Sequence, residues 1–200
     1  FDLGEDTGCG ITESGTVDCW TFGDGNEPEP ETKAPDGTFI DVAVGIEFAC
    51  GLEQSDDNPK IGDVECWGND QLKAVSEAPG TTVGTRIFAD ETNVCLVSGN
   101  PKHRPTCWGS FTRKKPSPRG AFTKIALDGD DACGLKADES ITCWINPKPP
   151  SHLKPLLDHA PARGFDLATK SACIITKDGH LECNGTAVEV PEATQKFEDK

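Results

Sequence analysis

The sequence lacks the features that mark membrane-spanning proteins. Its 200 residues include no methionine and no tyrosine, and aromatic residues make up 6% of them. No stretch approaches the roughly 18 apolar residues that a membrane-spanning helix requires. The chain does not begin with Met or with a basic-then-apolar leader, so we expect any signal peptide to have been removed or to lie upstream. We therefore predict no transmembrane segment.

Catalytic signatures are missing as well. The sequence contains no Gly-x-Ser-x-Gly, no His-Glu-x-x-His and no phosphate-binding glycine loop. The histidines are predicted in loops or beside a turn, where a solvated surface position is the expected role; they are His103, His152, His159 and His180. We therefore predict no enzymatic activity and no cofactor.

The cysteine spacing argues against a metal site. Zinc-binding cysteines usually stand two to four residues apart, whereas the nearest cysteines of one couple here are ten positions apart. The acidic segment 128–131 lacks the alternating ligands and the closing glutamate of a calcium-binding loop. We predict no metal. Ten cysteines in a chain without methionine instead indicate disulfides and an oxidising compartment, either extracellular or periplasmic, so the protein is expected to be secreted or on a cell surface.

Charge is unevenly distributed along the chain. The net charge is −15, and residues 1–99 hold 4 Lys and Arg against 21 Asp and Glu. Nucleic-acid binding is therefore not expected, because that function needs a basic domain. One basic cluster interrupts the acidic background, and its members are Lys102, Arg104, Arg113, Lys114, Lys115 and Arg119. We interpret this cluster as a candidate patch for binding an acidic protein, or an anionic glycan or surface.

The cysteines define an internal repeat. They form five couples, whose first members recur at intervals of 41, 45, 38 and 40 residues. This is the period of a β-propeller blade. Two residues after the first cysteine stand Ile11, Leu52, Val97, Leu135 and Ile175. Directly after the second cysteine stand Trp20, Trp67, Trp108 and Trp144, with Asn184 in the fifth repeat.

The spacing within a couple predicts a disulfide-linked hairpin. With Cys173 opposite Cys183, Thr176 pairs with His180, and Gly179 takes the left-handed position of a three-residue turn. The first repeat has glycine at this place, but the fourth has Glu139, so its turn is expected to be strained or different. Cysteines on neighbouring strands are close enough to pair. The predicted disulfides are Cys9–Cys19, Cys50–Cys66, Cys95–Cys107, Cys133–Cys143 and Cys173–Cys183.

The hairpins are apolar on both faces, which favours packing around an axis. Cys50 and Leu52 point to one side of their strand, while Trp67, next to Cys66, points to the other. We predict an all-β fold, a small β-propeller of five blades of roughly 40 residues each. It forms one domain, 1–200, with repeats at approximately 1–38, 39–84, 85–121, 122–164 and 165–200. We expect a closed five-bladed ring, with part of a larger ring as the alternative.

Motifs in the second repeat carry a family resemblance. Ala49-Cys50-Gly51-Leu52 and the Cys-Trp-Gly at 66–68 resemble the regulator-of-chromosome-condensation repeat. The paired cysteines resemble its extracellular branch, which includes the ectodomains of crinkly-type receptor kinases, and the fold is similar to that of β-lactamase inhibitor protein II. The resemblance implies a propeller, which in this family usually has seven blades.

Taken together, the sequence predicts a non-catalytic extracellular protein-binding module of the inhibitor, adhesion or receptor-ectodomain type. Loops on the blades would form the binding face. A lectin-like propeller that binds carbohydrate is the alternative, but one pocket per blade would require repeated loop residues, and these loops diverge. Asn184-Gly185-Thr186 is a candidate N-glycosylation site.

Overall fold

The computed structural model describes residues 1–22, 33–69, 73–80, 82–98, 100, 102–111, 116–144, 161–168, 171–184 and 186–188. These residues form seventeen strands in five separate antiparallel sheets. Each sheet follows the order of its strands along the chain, so each is one up-and-down blade. The predicted all-β fold of five small blades is confirmed.

The strands are numbered in chain order. Blade one contains β1 (Asp2–Leu3), β2 (Thr7–Ile11) and β3 (Val17–Thr21). Blade two contains β4 (Phe39–Val44), β5 (Phe48–Gln54), β6 (Gly62–Gly68) and β7 (Val83–Gly84). Blade three contains β8 (Arg86–Ala89), β9 (Asn93–Val97) and β10 (Thr106–Gly109). Blade four contains β11 (Phe122–Asp128), β12 (Asp131–Lys136) and β13 (Ile141–Trp144). Blade five contains β14 (Ala162–Ala168), β15 (Ser171–Thr176), β16 (Leu181–Cys183) and β17 (Thr186–Val188). The approximate boundary expected between residues 164 and 165 therefore falls inside β14.

In every blade, two cysteines stand directly opposite each other on the second and third strands. The disulfides are Cys9–Cys19, Cys50–Cys66, Cys95–Cys107, Cys133–Cys143 and Cys173–Cys183. The Cα atoms of each pair lie 4.0–4.1 Å apart. All ten cysteines are thus consumed in links within single hairpins, and none joins two blades.

Three of these hairpins share one turn. In blade five, Thr176 N donates to His180 O at 2.9 Å and Gly179 N donates to Thr176 O at 3.0 Å, as the spacing predicts. The same two hydrogen bonds form in the turns that contain Gly15 and Glu139. Gly15 and Gly179 have φ of 86° and 84°, and Glu139 has φ of 64°. Blade four therefore keeps the turn and places a non-glycine residue in the left-handed region, which is the strained alternative expected from the sequence.

Each blade has two different apolar faces. In blade two, Cys50 and Leu52 pack with residues of blade three, whereas Trp67 packs with residues of blade one. We call the first surface the cysteine face and the second the tryptophan face. Side chains alternate along a strand. Leu52, two positions after Cys50, therefore lies on the side of the disulfide, and Trp67, one position after Cys66, lies on the other side. The predicted two-sided packing is confirmed.

Four hydrophobic clusters link blade one to two, two to three, three to four and four to five. Among the described residues, no such cluster links blade five to blade one. Leu3, Trp20 and Ile175, which belong to these two end blades, are exposed. In a closed ring, an interface between these two blades would bury such residues, as the other interfaces bury their equivalents. The closed five-bladed ring stays a prediction.

The shared turn generates a stability prediction. Replacement of Glu139 by glycine should raise the free energy of unfolding by about 1 kcal/mol, since it relieves the left-handed strain while keeping both turn hydrogen bonds. Gly179→Ala is the matched control and should lower it by a similar amount. Urea denaturation with the disulfides intact measures both changes. A loss of stability in Glu139→Gly would contradict the account of this turn.

Candidate binding surface

The hairpin tips of all five blades lie on one face of the protein. The tips connect the second and third strands of each blade, and their described residues are 12–16, 55–61, 98, 100, 102–105, 137–140 and 177–180. The turns between the first and second strands lie at the opposite ends of the strands. We call the first surface the tip face and the second the turn face. Every loop on these two faces connects two paired strands of one sheet.

Two tips are longer than the others and differ in charge. The blade-two tip exposes Asp56 and Asp57, while the blade-three tip exposes Lys102 and Arg104. Both long tips are ordered by internal hydrogen bonds. Lys60 N donates to the Asn58 side chain at 3.1 Å, and Lys102 N donates to Asn100 Oδ1 at 2.9 Å. Neighbouring tips thus present opposite charges on one face.

The predicted basic cluster falls partly within the described residues. Lys102, Arg104 and Arg119 are exposed, and Arg113, Lys114 and Lys115 lie outside the described residues. The structure connects the two loops that carry the described members. The Arg104 guanidinium donates through Nη1 to the carbonyl of Ser117, and the buried Ser117 hydroxyl donates to the carbonyl of Pro105 at 2.5 Å. Arg104 is therefore both a surface charge and a tether between these loops.

The sequence did not indicate this tether. Ser117 lies between two prolines, a context that is typical of an ordinary exposed loop. It is nevertheless only 5% exposed.

Two phenylalanines near the starts of long inter-blade loops differ in their burial. Phe111 is buried in the cluster between blades three and four, whereas Phe22 is exposed and meets Trp20 edge-on at 6.4 Å.

A cavity of about 1090 Å³ lies between the first strands of the five blades. Its charged lining is mainly acidic: Asp2, Glu5, Asp41, Asp90, Glu91, Asp128 and Asp166 against Arg86, Lys124 and Arg163. Two of the basic groups pair with acids of the next or preceding blade. Arg86 Nε lies 3.0 Å from Asp41 Oδ2, and Lys124 Nζ lies 3.0 Å from Asp166 Oδ2. The central opening is therefore acidic, in contrast to the basic tip.

Carboxylates also join consecutive blades through the backbone. Asp2 accepts a hydrogen bond from Val44 N at 2.8 Å, and Asp41 accepts one from Ile87 N at 2.9 Å. Asp90 accepts one from Gly129 N, also at 2.9 Å. Each acid lies on one blade and its donor on the following one. Three of the four interfaces are thus fixed by a charge-assisted hydrogen bond in addition to apolar packing.

The remaining candidate residues do not assemble into a reactive site. His103 and His180 are exposed, and His152 and His159 lie outside the described residues. Within the described ranges, no group of three or more His, Cys, Asp or Glu side chains is placed to hold a metal ion. The described residues also include no helix long and apolar enough to cross a membrane.

Asn184 replaces tryptophan in the fifth repeat. Its φ is 48°, and it exchanges two hydrogen bonds with Ala172, one through its backbone N–H at 2.8 Å and one through its Oδ1 at 2.9 Å. Asparagine tolerates the left-handed region better than most residues do. Asn184 is exposed, and its side-chain nitrogen is not used in these bonds.

The geometry defines the protein as a β-propeller whose blades are each closed by a disulfide, with an RCC1-like fold. Among solved structures it is similar to the crinkly ectodomain of the Arabidopsis thaliana receptor kinase ACR4, with a TM-score of 0.68 and 22% identity over 94% of this chain and 66% of that one. The entire ectodomain of the Physcomitrella patens receptor kinase CR4 gives a TM-score of 0.66 and 22% identity over 94% of this chain and 53% of that one. Prp20p from Saccharomyces cerevisiae gives 0.62 and 12% identity over 95% and 62% of the two chains.

These similarities establish the fold, including the predicted resemblance to crinkly-type and RCC1-like propellers. The chain spans less than two thirds of the length of the two receptor ectodomains. No protein-family model matches the sequence, and no curated protein does.

The carboxylate links generate a pH prediction. Burial raises the pKa of Asp2 despite the opposing hydrogen bond from Val44, whereas hydrogen bonds from Ser140 lower the pKa of the exposed Asp138. Carbon-13 NMR titration should therefore find that Asp2 titrates at higher pH than Asp138. Because the folded-state pKa of Asp2 is raised, its contribution to stability should fall as the pH rises from the unfolded-state pKa through the folded-state pKa. The Asp2→Asn variant should lack this pH-dependent part of the stability. Titration of Asp138 at a higher pH than Asp2 would contradict the prediction.

Proposed function

We propose that this chain is a non-catalytic extracellular protein-binding module and that its tip face is the binding surface. The observation that carries the proposal is the basic tip of blade three. Lys102, Arg104 and Arg119 are exposed in a protein with a net charge of −15, and the Arg104–Ser117 hydrogen bond holds their loops together. Arg113, Lys114 and Lys115 extend this patch by their place in the sequence.

The partner is an acidic protein surface. Opposite charges on two proteins accelerate their encounter and select between partners. The tether supports this role, because a loop that is already ordered loses less conformational entropy on binding. Propeller folds of this type are used in protein binding elsewhere: Prp20p binds Gsp1p and histones.

The proposed location is outside the cell or on its surface. Five disulfides in a chain of 200 residues are typical of an oxidising compartment and rare in the cytosol. The fold is shared with two plant receptor-kinase ectodomains. These two observations support a secreted or cell-surface protein.

Divergence of the tips favours a protein partner over a carbohydrate. A lectin with one pocket per blade would repeat the same polar and aromatic side chains at each tip. Here the three short tips contain Glu-Ser-Gly, Ala-Asp-Glu and Lys-Asp-Gly, and the two long tips carry opposite charges. Such a face suits a single extended partner that touches several different loops.

Charge reversal tests this function. The double variant Lys102→Glu/Arg119→Glu should lose about tenfold in affinity for proteins captured from extracellular fluid, corresponding to about 1.4 kcal/mol. The difference should shrink at high salt, because exposed charges are screened. Immobilised protein, mass-spectrometric identification and titration of the identified partner provide the measurement.

Lys60→Glu/Lys177→Glu is the matched control. It makes the same change of charge on two other tips of the same face, where both lysines are exposed. It should bind as the wild type does. Equal loss in both double variants would refute a specific patch, and binding to a sulfated-glycan array without a protein partner would favour the lectin alternative.

We further propose that Asn184 carries an N-linked glycan when the protein passes through a eukaryotic secretory pathway. Its Oδ1 is engaged with Ala172, which leaves the side-chain nitrogen as the point of attachment. Protein secreted from such cells should lose the mass of one glycan on treatment with peptide-N-glycosidase. Thr186→Ala removes the acceptor sequence but keeps Asn184 in its turn, and its mass should not change. An unmodified wild-type protein would contradict this proposal.

A further inference from the structure

The two faces of a blade form the two halves of one interface. In blades one, two and four the first cysteine is followed by glycine, and on the tryptophan face the indole lies over that glycine. A Cβ atom added to Gly51 would meet the Trp67 ring at 3.4 Å, and one added to Gly134 would meet Trp144 at 3.1 Å. On the cysteine face, the disulfide and the apolar residue two positions beyond the first cysteine project toward the next blade.

All four interfaces in the chain pair these unlike faces in the same order. The cysteine face of one blade covers the tryptophan face of the blade that follows it. In blade five, which lacks the tryptophan, the equivalent face is formed by Phe165, Ala172 and Ile174. The burial that results is nearly complete. Leu52, Val97 and Leu135, which project from cysteine faces, are 0%, 4% and 6% exposed. The tryptophans on the covered faces are 9%, 5% and 8% exposed at positions 67, 108 and 144.

Within the part of the chain that the structure describes, one face of each kind has no neighbouring blade packed on it. Trp20, on blade one, lies over Gly10 as Trp67 and Trp144 lie over Gly51 and Gly134, but it is 38% exposed, and Leu3 beside it is 52% exposed. On blade five, Ile175 occupies the position of Leu52 and Leu135 and is 43% exposed. The two uncovered faces are therefore a tryptophan face and a cysteine face, which are the complementary halves of the interface that recurs four times.

Polar groups on blade five repeat those that join the internal blades. The tip carbonyls of Gly15 and Glu139 accept hydrogen bonds from the first strand of the next blade, donated by Phe39 N at 2.8 Å and Ala162 N at 3.1 Å. Gly179 occupies the same tip position in blade five. Asp166 stands seven residues before the first cysteine of its repeat, as does Asp2, whose carboxylate accepts from Val44 N.

We propose that the cysteine face of blade five docks onto the tryptophan face of blade one in a second copy of this chain. The partner is a second copy because a single chain carries both halves of an interface that it already forms four times. Since the two faces are unlike, the contact is head-to-tail, and each copy keeps one face for a further copy. The contact lies at the ends of the row of blades. It includes Gly179 of the blade-five tip but none of Lys102, Arg104 and Arg119, which are proposed for partner binding.

The proposal predicts concentration-dependent association of the wild-type protein in sedimentation velocity. Leu3→Glu places a charge on the blade-one face and Ile175→Glu on the blade-five face, and each variant alone should remain a monomer. Both residues are substantially exposed, so neither change disturbs the core of a monomer. Trp20→Glu is a second blade-one variant with the same expected result.

An equimolar mixture of the Leu3→Glu and Ile175→Glu variants should form a dimer and stop there, because one competent pair of faces remains. Val83→Glu is the control: this residue is 40% exposed on the outer strand of blade two, and the variant should associate like the wild type. A wild-type protein that stays monomeric at all concentrations would overturn the proposal. Self-association of Ile175→Glu alone would also overturn it, because it would require contact between two blade-one faces.

Discussion

The alignment of two cysteines across a hairpin is the constraint on which the rest of this fold depends. In all five blades the paired cysteines are direct cross-strand partners. A shift of one residue in a strand moves every side chain to the opposite face of the sheet. By fixing the register, each disulfide therefore also fixes which side receives the tryptophan and which receives the residue two positions after the first cysteine. The two unlike faces of a blade follow directly from this covalent link.

The disulfides organise single blades, whereas non-covalent contacts hold the blades together. Each interface combines an apolar cluster with specific polar contacts, such as the hydrogen bond from Ile87 N to Asp41. Buried Asn93 adds another between blades three and four, since its Nδ2 donates to Gly129 O at 2.9 Å. Stability within a blade and stability between blades thus depend on different chemistry. Reduction would loosen the register of each hairpin first, and removal of an inter-blade carboxylate would leave every hairpin linked.

The sequence predicts the structural features that recur from repeat to repeat, and it gives little information on the contacts that occur only once. The hairpin register, the three-residue turn at Gly179 and the opposed directions of Leu52 and Trp67 were all predictable, because five copies of the pattern average out local variation. Asp2, Asp41 and Asp90 occupy three different repeat positions, so no pattern singled out their shared role. The Arg104–Ser117 tether depends on how the blade-three tip and the connection from β10 to β11 fold against each other. Ring closure was predicted with part of a larger ring as the alternative, and it depends on the angle between blades, which no residue pattern specifies.

The disulfides and the inter-blade clusters lie mostly outside the tips, so the binding surface can vary without loss of the fold. The tips extend beyond the cysteine pairs and contribute few residues to the inter-blade clusters, so an acidic insertion in blade two and a basic one in blade three are both accommodated. Glu139 shows the limit of this freedom, because the turn keeps its geometry even where the residue is poorly suited to it. Length and charge can therefore change at a tip while its anchor points stay fixed. A basic patch on such a frame is held in position before a partner arrives, which is the property that a protein-binding face requires.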